Sequence, residues 1–143
     1  MEGNTGGHRI TSALFKYPKY TEVSSNNSIM FVVDKYKTLH MIDLRTDNVT
    51  TLLTFDTFSL EMKLIGDSLL YFSKNTKVTV FNRDTKEESV VAGDTVSGDA
   101  FGSLEQTRFD YVFGLLPWKN EMETLLLVAD NDADRFVGLL FTM

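Results

Sequence analysis

The sequence predicts an all-β fold in which antiparallel sheets recur along one chain. Three observations predict it. Eleven Phe, five Tyr and one Trp bring the aromatic share to 12%, and aromatic and β-branched side chains favour a pleated, half-buried surface. The apolar residues fall in short runs bounded by turn residues, at regular spacing and without a helical period. The chain also repeats itself: Phe31-Val32-Val33-Asp34 returns 96 residues later as Leu127-Val128-Ala129-Asp130, and 39 residues later in degenerate form as Leu70-Tyr71-Phe72-Ser73.

Taken in order, residues 1–15 read as a polar, Gly-rich loop ending in Ala13-Leu14-Phe15. A short strand over 20–24 follows Pro18, then an apolar strand over 28–34. Residues 39–44 alternate Leu39 and Met41 against His40 and Ile42, and 48–54 are β-rich. Arg45-Thr46-Asp47-Asn48 between them has hairpin turn chemistry. The pattern then restarts. Strands are predicted over 59–65, 68–73, 77–82 and 88–92, with turns at Gly66-Asp67 and Arg83-Asp84-Thr85-Lys86. A polar stretch follows, and residues 103–110 hold at most one helical turn. Three more strands, over 111–116, 123–130 and 135–142, end where a fourth is due. A four-stranded meander cannot bury both faces alone; it packs on its neighbours around an axis. The expected architecture is therefore a single domain over 1–143, a partial β-propeller of about three four-stranded blades, the last incomplete. The blades run approximately 16–54, 57–92 and 109–143, with an inter-blade loop over 93–108.

Composition excludes several classes. The net charge is −6 and no Lys/Arg cluster stands out, so the electrostatic footprint of nucleic-acid binding is missing. There is no cysteine, which removes disulfides, Cys-ligated zinc and thiol catalysis. No stretch reaches the roughly 18 apolar residues of a membrane span. With only His8 and His40, a histidine-rich metal centre cannot be assembled from one chain, and no nucleophile-elbow or phosphate-cradling motif is present. No enzyme is expected.

The punctuation between blades is more specific. Residues 92–109 combine Gly93, Gly98 and Gly102 with Asp94 and Asp99 and close on Phe109; the N-terminal copy runs Gly6-Gly7 to Phe15-Lys16-Tyr17-Pro18. Phe15 and Phe109 are 94 residues apart, beside the 96 between Asp34 and Asp130. Together with Val128-Ala129-Asp130-Asn131 and Arg135-Phe136, these segments resemble the repeats of NHL-type propellers. The chain departs from that pattern at Phe101, at Val112 and, in the middle blade, at Ser73. The resemblance implies internal roles: the Phe plugs between blades, and the Asp accepts hydrogen bonds from the turn after its strand. It also implies a ring of about six blades, of which this chain supplies half.

The site candidates are few. Asp130, Asp132 and Asp134 alternate as in a calcium loop, but Arg135 stands where Gly is needed and Phe141 where Glu is needed; a solvated acidic turn is the expected reading, and no cofactor is expected. Trp118, Lys119, Tyr36 and Asn131 are the candidate interaction residues, placed in the loops 35–38, 117–120 and 131–134. Phe136, Leu139, Leu140 and Phe141 suggest that the last strand is covered. Because an open propeller leaves sheet edges bare, the expected function is a non-catalytic protein-interaction or assembly scaffold. Its partner would be a second copy completing the ring, or another propeller chain. The alternative is an enzyme or a propeller binding a small ligand or metal through the channel of an assembled ring.

Overall fold

The computed structural model describes residues 15–35, 37–94, 98, 106–121, 123–131 and 135–142. Among them the chain forms strands and no helix; residues 106–110, within the stretch expected to hold at most one helical turn, are turn and coil. The first sheet is β1 (Pro18–Val23), β2 (Ile29–Asp34), β3 (Thr38–Asp43) and β4 (Asn48–Thr54). The second is β5 (Glu61–Ile65), β6 (Leu69–Lys74), β7 (Lys77–Asn82) and β8 (Glu87–Gly93). The third has only β9 (Val112–Lys119), β10 (Glu123–Asp130) and β11 (Arg135–Thr142). Each is an antiparallel meander in sequence order. The chain is thus a partial β-propeller with an incomplete third blade. Among the described residues no helix is long and apolar enough to cross a membrane.

The turns repeat with the sheets. Asp43 Oδ1 accepts from the N–H groups of Arg45 and Thr46 at 2.9 and 3.3 Å. Asn82, 39 residues on, accepts from Asp84 and Thr85 at the same distances, 2.9 and 3.3 Å. Both are Asx turns that hold the third hairpin of a blade closed. The ladder irregularity at Leu39/His40 recurs at Val78/Thr79, so even the bulges follow the repeat.

Blades pack face to face in series. Phe31, Val33 and Leu39 of the first meet Met62, Leu70, Phe72 and Phe81 of the second, with Phe55 filling the seam edge-on to Phe72. The opposite face of the second blade, with Tyr71, Val78 and Ala92, meets Leu115, Leu126, Val128, Val137 and Leu139 of the third. The first strands β1, β5 and β9 touch in succession and line the axis. Burying a Phe or Leu stabilises by about 1.5–3 kcal/mol, so these two seams hold the wedge together. The second blade is covered on both faces and the third on one.

Two expectations need correction. Trp118 is not in a loop: β9 continues through Pro117 to Lys119. Proline is tolerated because β9 is an edge strand of its sheet. Leu139 does not face outward; it is 2% exposed in the seam with the second blade. The side chain of Phe141 lies outside the described residues.

Candidate functional site

The blade junctions explain the repeated Phe and Asp. Pro18, Glu61 and Val112 pair with Asp34, Ser73 and Asp130 respectively. Three residues before each stands a phenylalanine: Phe15, Phe58 and Phe109. In the third blade Asp130 is buried and accepts from the N–H groups of Asp110 and Tyr111 at 3.0 and 2.8 Å. Arg135 Nε donates to the same carboxylate at 3.1 Å. Phe109 is thereby fixed in the seam, fully buried. In the first blade Asp34 accepts from the Lys16 N–H at 2.6 Å. The carboxylate therefore holds the segment that leads into its own blade, 18 to 20 residues earlier.

The environment of Asp34 differs from that of Asp130. Its neighbour is His40, with Nε2 3.9 Å from Asp34 Oδ2 and Nδ1 3.0 Å from Thr51 Oγ1. Phe15 stands edge-on to the imidazole at 5.4 Å. Burial pushes His40 below its usual pKa, and the nearby carboxylate opposes this more weakly. In the middle blade Ser73 has no carboxylate to offer. Phe58 is 60% exposed there, and Phe55 occupies the interior.

These geometries bear on the calcium candidates. The carboxylate of Asp130 is engaged by two backbone N–H groups and a guanidinium. Asp132 and Asp134 lie outside the described residues, as does Tyr36. Among the described residues no group of three His, Cys, Asp or Glu side chains is placed to hold a metal. Asn131 is exposed and its N–H donates to Tyr111 O at 2.9 Å. Trp118 and Lys119 are exposed at the end of β9.

Trp118 belongs to a larger feature. Register places Trp118, Leu125 and Leu140 in one row on the outward face of the third blade. Leu116, Leu127 and Gly138 form the next row, and Gly114, Ala129 and Phe136 a third. Every member is apolar. Phe136 is 78% exposed, Leu116 61%, Leu140 56% and Trp118 52%. The outward face of the first blade is different: Val32, Ile42 and Val49 there are buried.

A second cluster was invisible in the sequence. Lys63 Nζ lies 3.9 Å from Glu22 Oε1 and 3.6 Å from Glu61 Oε1, joining β1 and β5 at the axis. Burial pushes the Glu22 carboxyl up, opposed by Lys63 and helped by Glu61. The Glu22–Lys63 pair crosses the seam between the first two blades, and Glu61 meets the same ammonium from within β5. The only signal for it was the 39-residue repeat, which sets Glu22 and Glu61 on first strands of successive blades.

No family model and no curated protein matches the chain. Solved structures do. A protein described as a conserved lipoprotein from Clostridium novyi NT aligns with 92% of this chain and 89% of its own, at 11% identity and a TM-score of 0.59. The N-terminal domain of Nup159, a propeller, aligns with 89% of this chain at 11% identity and a TM-score of 0.50. A chain from the S. cerevisiae complex of Dbp5 with Nup159, Gle1, IP6 and ADP does so at 13% identity and 0.50. This chain spans 31% of the length of either of the last two. At such identities the likeness is one of fold.

Proposed function

We propose that this chain is a non-catalytic assembly module: an open propeller wedge whose third blade pairs with protein through its outward face, the occupant being a second copy of the chain. The observation that carries this is the three all-apolar rows on that face, with Phe136 and Leu116 more than half exposed. Contiguous apolar surface of this kind marks interaction sites. The other terminal face, around Ile42, is already buried, so among the described residues each copy offers one open face. A single open face pairs isologously, by a two-fold axis, rather than closing a head-to-tail ring. The NHL-type spacing of Phe15, Phe109, Asp34 and Asp130 is consistent with a repeat fold that works through its surfaces.

Three strands about 4.8 Å apart and about 26 Å long give a face of roughly 400 Å². That is below the ~800 Å² per partner of a standard interface, so pairing should depend on concentration. Light scattering from about 5 to 300 μM should show the mass rising above 16.2 kDa. The double variant Phe136→Lys, Leu140→Lys should stay monomeric with an unchanged circular dichroism spectrum. A wild-type chain that stays monomeric throughout overturns the reading.

A second reading, a small-ligand site in the channel of an assembled ring, is favoured only by the Glu22–Lys63–Glu61 cluster at the axis.

A further inference from the structure

The open face of the third blade has a relief as well as a composition. Its outward positions form a grid of three rows on three strands. Along β9 the order is Trp118, Leu116, Gly114; along β11 it is Leu140, Gly138, Phe136. The middle strand, β10, carries Leu125, Leu127 and Ala129 in the same rows. In two of the rows a large residue and a glycine therefore stand on opposite sides of β10. Leu116 on β9 matches Gly138 on β11, and Phe136 on β11 matches Gly114 on β9.

The large members project and the glycines leave hollows. Phe136 is 78% exposed, so its ring stands off the sheet and does not lie over Ala129 beside it. A methyl group at Gly114 would meet the Ala129 Cβ at an ordinary 3.6 Å and nothing closer. One at Gly138 would come within 3.2 Å of Leu125 Cδ1 and 3.9 Å of Leu127 Cδ2, so leucine methyls wall that hollow.

Building on the pairing of this face with a second copy, we propose that the two-fold axis runs along β10, so that each Phe136 enters the hollow at the partner's Gly114 and each Leu116 the hollow at the partner's Gly138. Such an axis keeps every row opposite itself and exchanges β9 with β11, as isologous contact requires. Large then meets small in two rows, and the cores of interfaces pack as densely as protein interiors. A two-fold axis across the strands would instead set Gly138 on Gly138 and Leu140 on Phe136, a void beside a collision. The remaining row opposes Trp118 with Leu140, large on large, so the sheets stand wider at that end. Glu123 of each copy, one row further along β10 beside Thr142, meets its counterpart at the wide end, where the separation eases like-charge repulsion. None of the nine grid positions is charged, so a complementary surface must be apolar too, and the face supplies that surface itself. Two such faces bury only about 800 Å² together, less than a standard interface, so the fit between them has to supply the specificity.

The test is to fill a hollow. Gly114→Leu adds apolar area, and a face recruited by hydrophobicity alone would pair more tightly. Here it should weaken pairing at least about tenfold in the light-scattering series, with an unchanged circular dichroism spectrum, because truncating or displacing a central anchor costs that much. Phe136→Ala should weaken it similarly. The combined variant Gly114→Leu, Phe136→Ala should recover most of the loss, since the new leucine then faces the space the ring has left; such non-additivity marks direct contact. The axis is read by cross-linking, in a chain with no cysteine of its own. Trp118→Cys and Leu140→Cys chains, mixed and treated with a bismaleimide that spans the about 10 Å between packed sheets, should link to each other, and Ala129→Cys chains should link to themselves. The proposal is overturned if Gly114→Leu pairs as tightly as wild type or tighter, if the combined variant shows no recovery, or if Trp118→Cys links to Gly114→Cys in place of Leu140→Cys, the mark of the other axis. Each of those results leaves wild-type pairing intact; a wild-type chain that stays monomeric overturns the pairing itself. The cross-links keep the arrangement falsifiable if Gly114→Leu misfolds.

Discussion

The third blade and the second solve the same problem at their junctions with opposite results. In the third, a buried carboxylate, Asp130, holds the N–H groups of Asp110 and Tyr111 and is matched by Arg135. Phe109, just before them, is driven fully into the seam. In the second, Ser73 replaces the carboxylate, its Oγ makes no hydrogen bond, and Phe58 is on the surface. The interior position goes to Phe55, whose ring lies 4.1 Å beneath the ammonium of Lys74. The difference teaches that the phenylalanine is buried because the residues after it are tethered, and not merely because it is apolar. Hydrophobicity alone would have placed Phe58 and Phe109 alike.

The strongest way to break the comparison is Asp130→Ala. It leaves a guanidinium and two N–H groups without their shared acceptor in a buried site. Removing one partner of a buried pair costs about 3–5 kcal/mol. Urea unfolding should show that loss; a change below about 1 kcal/mol, the size of an ordinary surface effect, would mean that the carboxylate does not hold the junction. Next in size is Gly93→Ala. Gly93 has φ +88°, and a methyl group there would meet Thr76 O, come within 2.7 Å of Lys77 Cα and 2.9 Å of the Phe109 ring. Backbone strain and overpacking together should cost about 2–4 kcal/mol, read by the same titration, because the plug of the third blade closes directly over this glycine.

The first blade supplies a pH-dependent version of the junction. Asp130 has a permanent cation in Arg135, whereas Asp34 has His40 at 3.9 Å, held below its ordinary pKa by burial. The folded chain therefore resists protonating His40, while the unfolded chain protonates it near pH 6.5. Stability from this group is complete above about pH 6.5 and is lost as the pH falls below it. Melting temperature should drop from pH 7.5 to 5.5, and His40→Gln should flatten the slope. A parallel decline in both proteins would place the dependence elsewhere. Glu22, whose carboxyl is pushed up by burial, acts in the opposite sense, losing stability as pH rises through its folded value.

The strands were legible because alternation and turn chemistry are local. Asp43 and Asn82 close identical turns with their own side chains, so a reader of residues 43–48 can foresee the hairpin. The 94- and 96-residue spacings also marked Phe15, Phe109, Asp34 and Asp130 as internal. What the spacing did not reveal was the direction of the hydrogen bonds, because the partner N–H groups lie 18 to 20 residues upstream. Trp118 was misplaced because Pro117 reads as a turn, when an edge strand accommodates it. The Glu22–Lys63–Glu61 cluster was illegible because it unites side chains from two blades, which in sequence are scattered surface charges.

The smallest effect is the most informative about the comparison. Phe58→Ala removes the same side chain from the same repeat position as Phe109→Ala. A fully buried Phe costs about 3–5 kcal/mol on truncation, because a cavity remains and transfer energy is lost. Phe58 is 60% exposed, leaves no cavity, and surrenders chiefly its contact with Lys37. Its removal should fall within about 0.5 kcal/mol of wild type, as surface substitutions do. Equal losses at both positions would show that Phe58 spends its time buried and that Ser73 tethers as well as an aspartate does. A near-zero loss shows that without the carboxylate tether the ring carries no stabilising task in the fold.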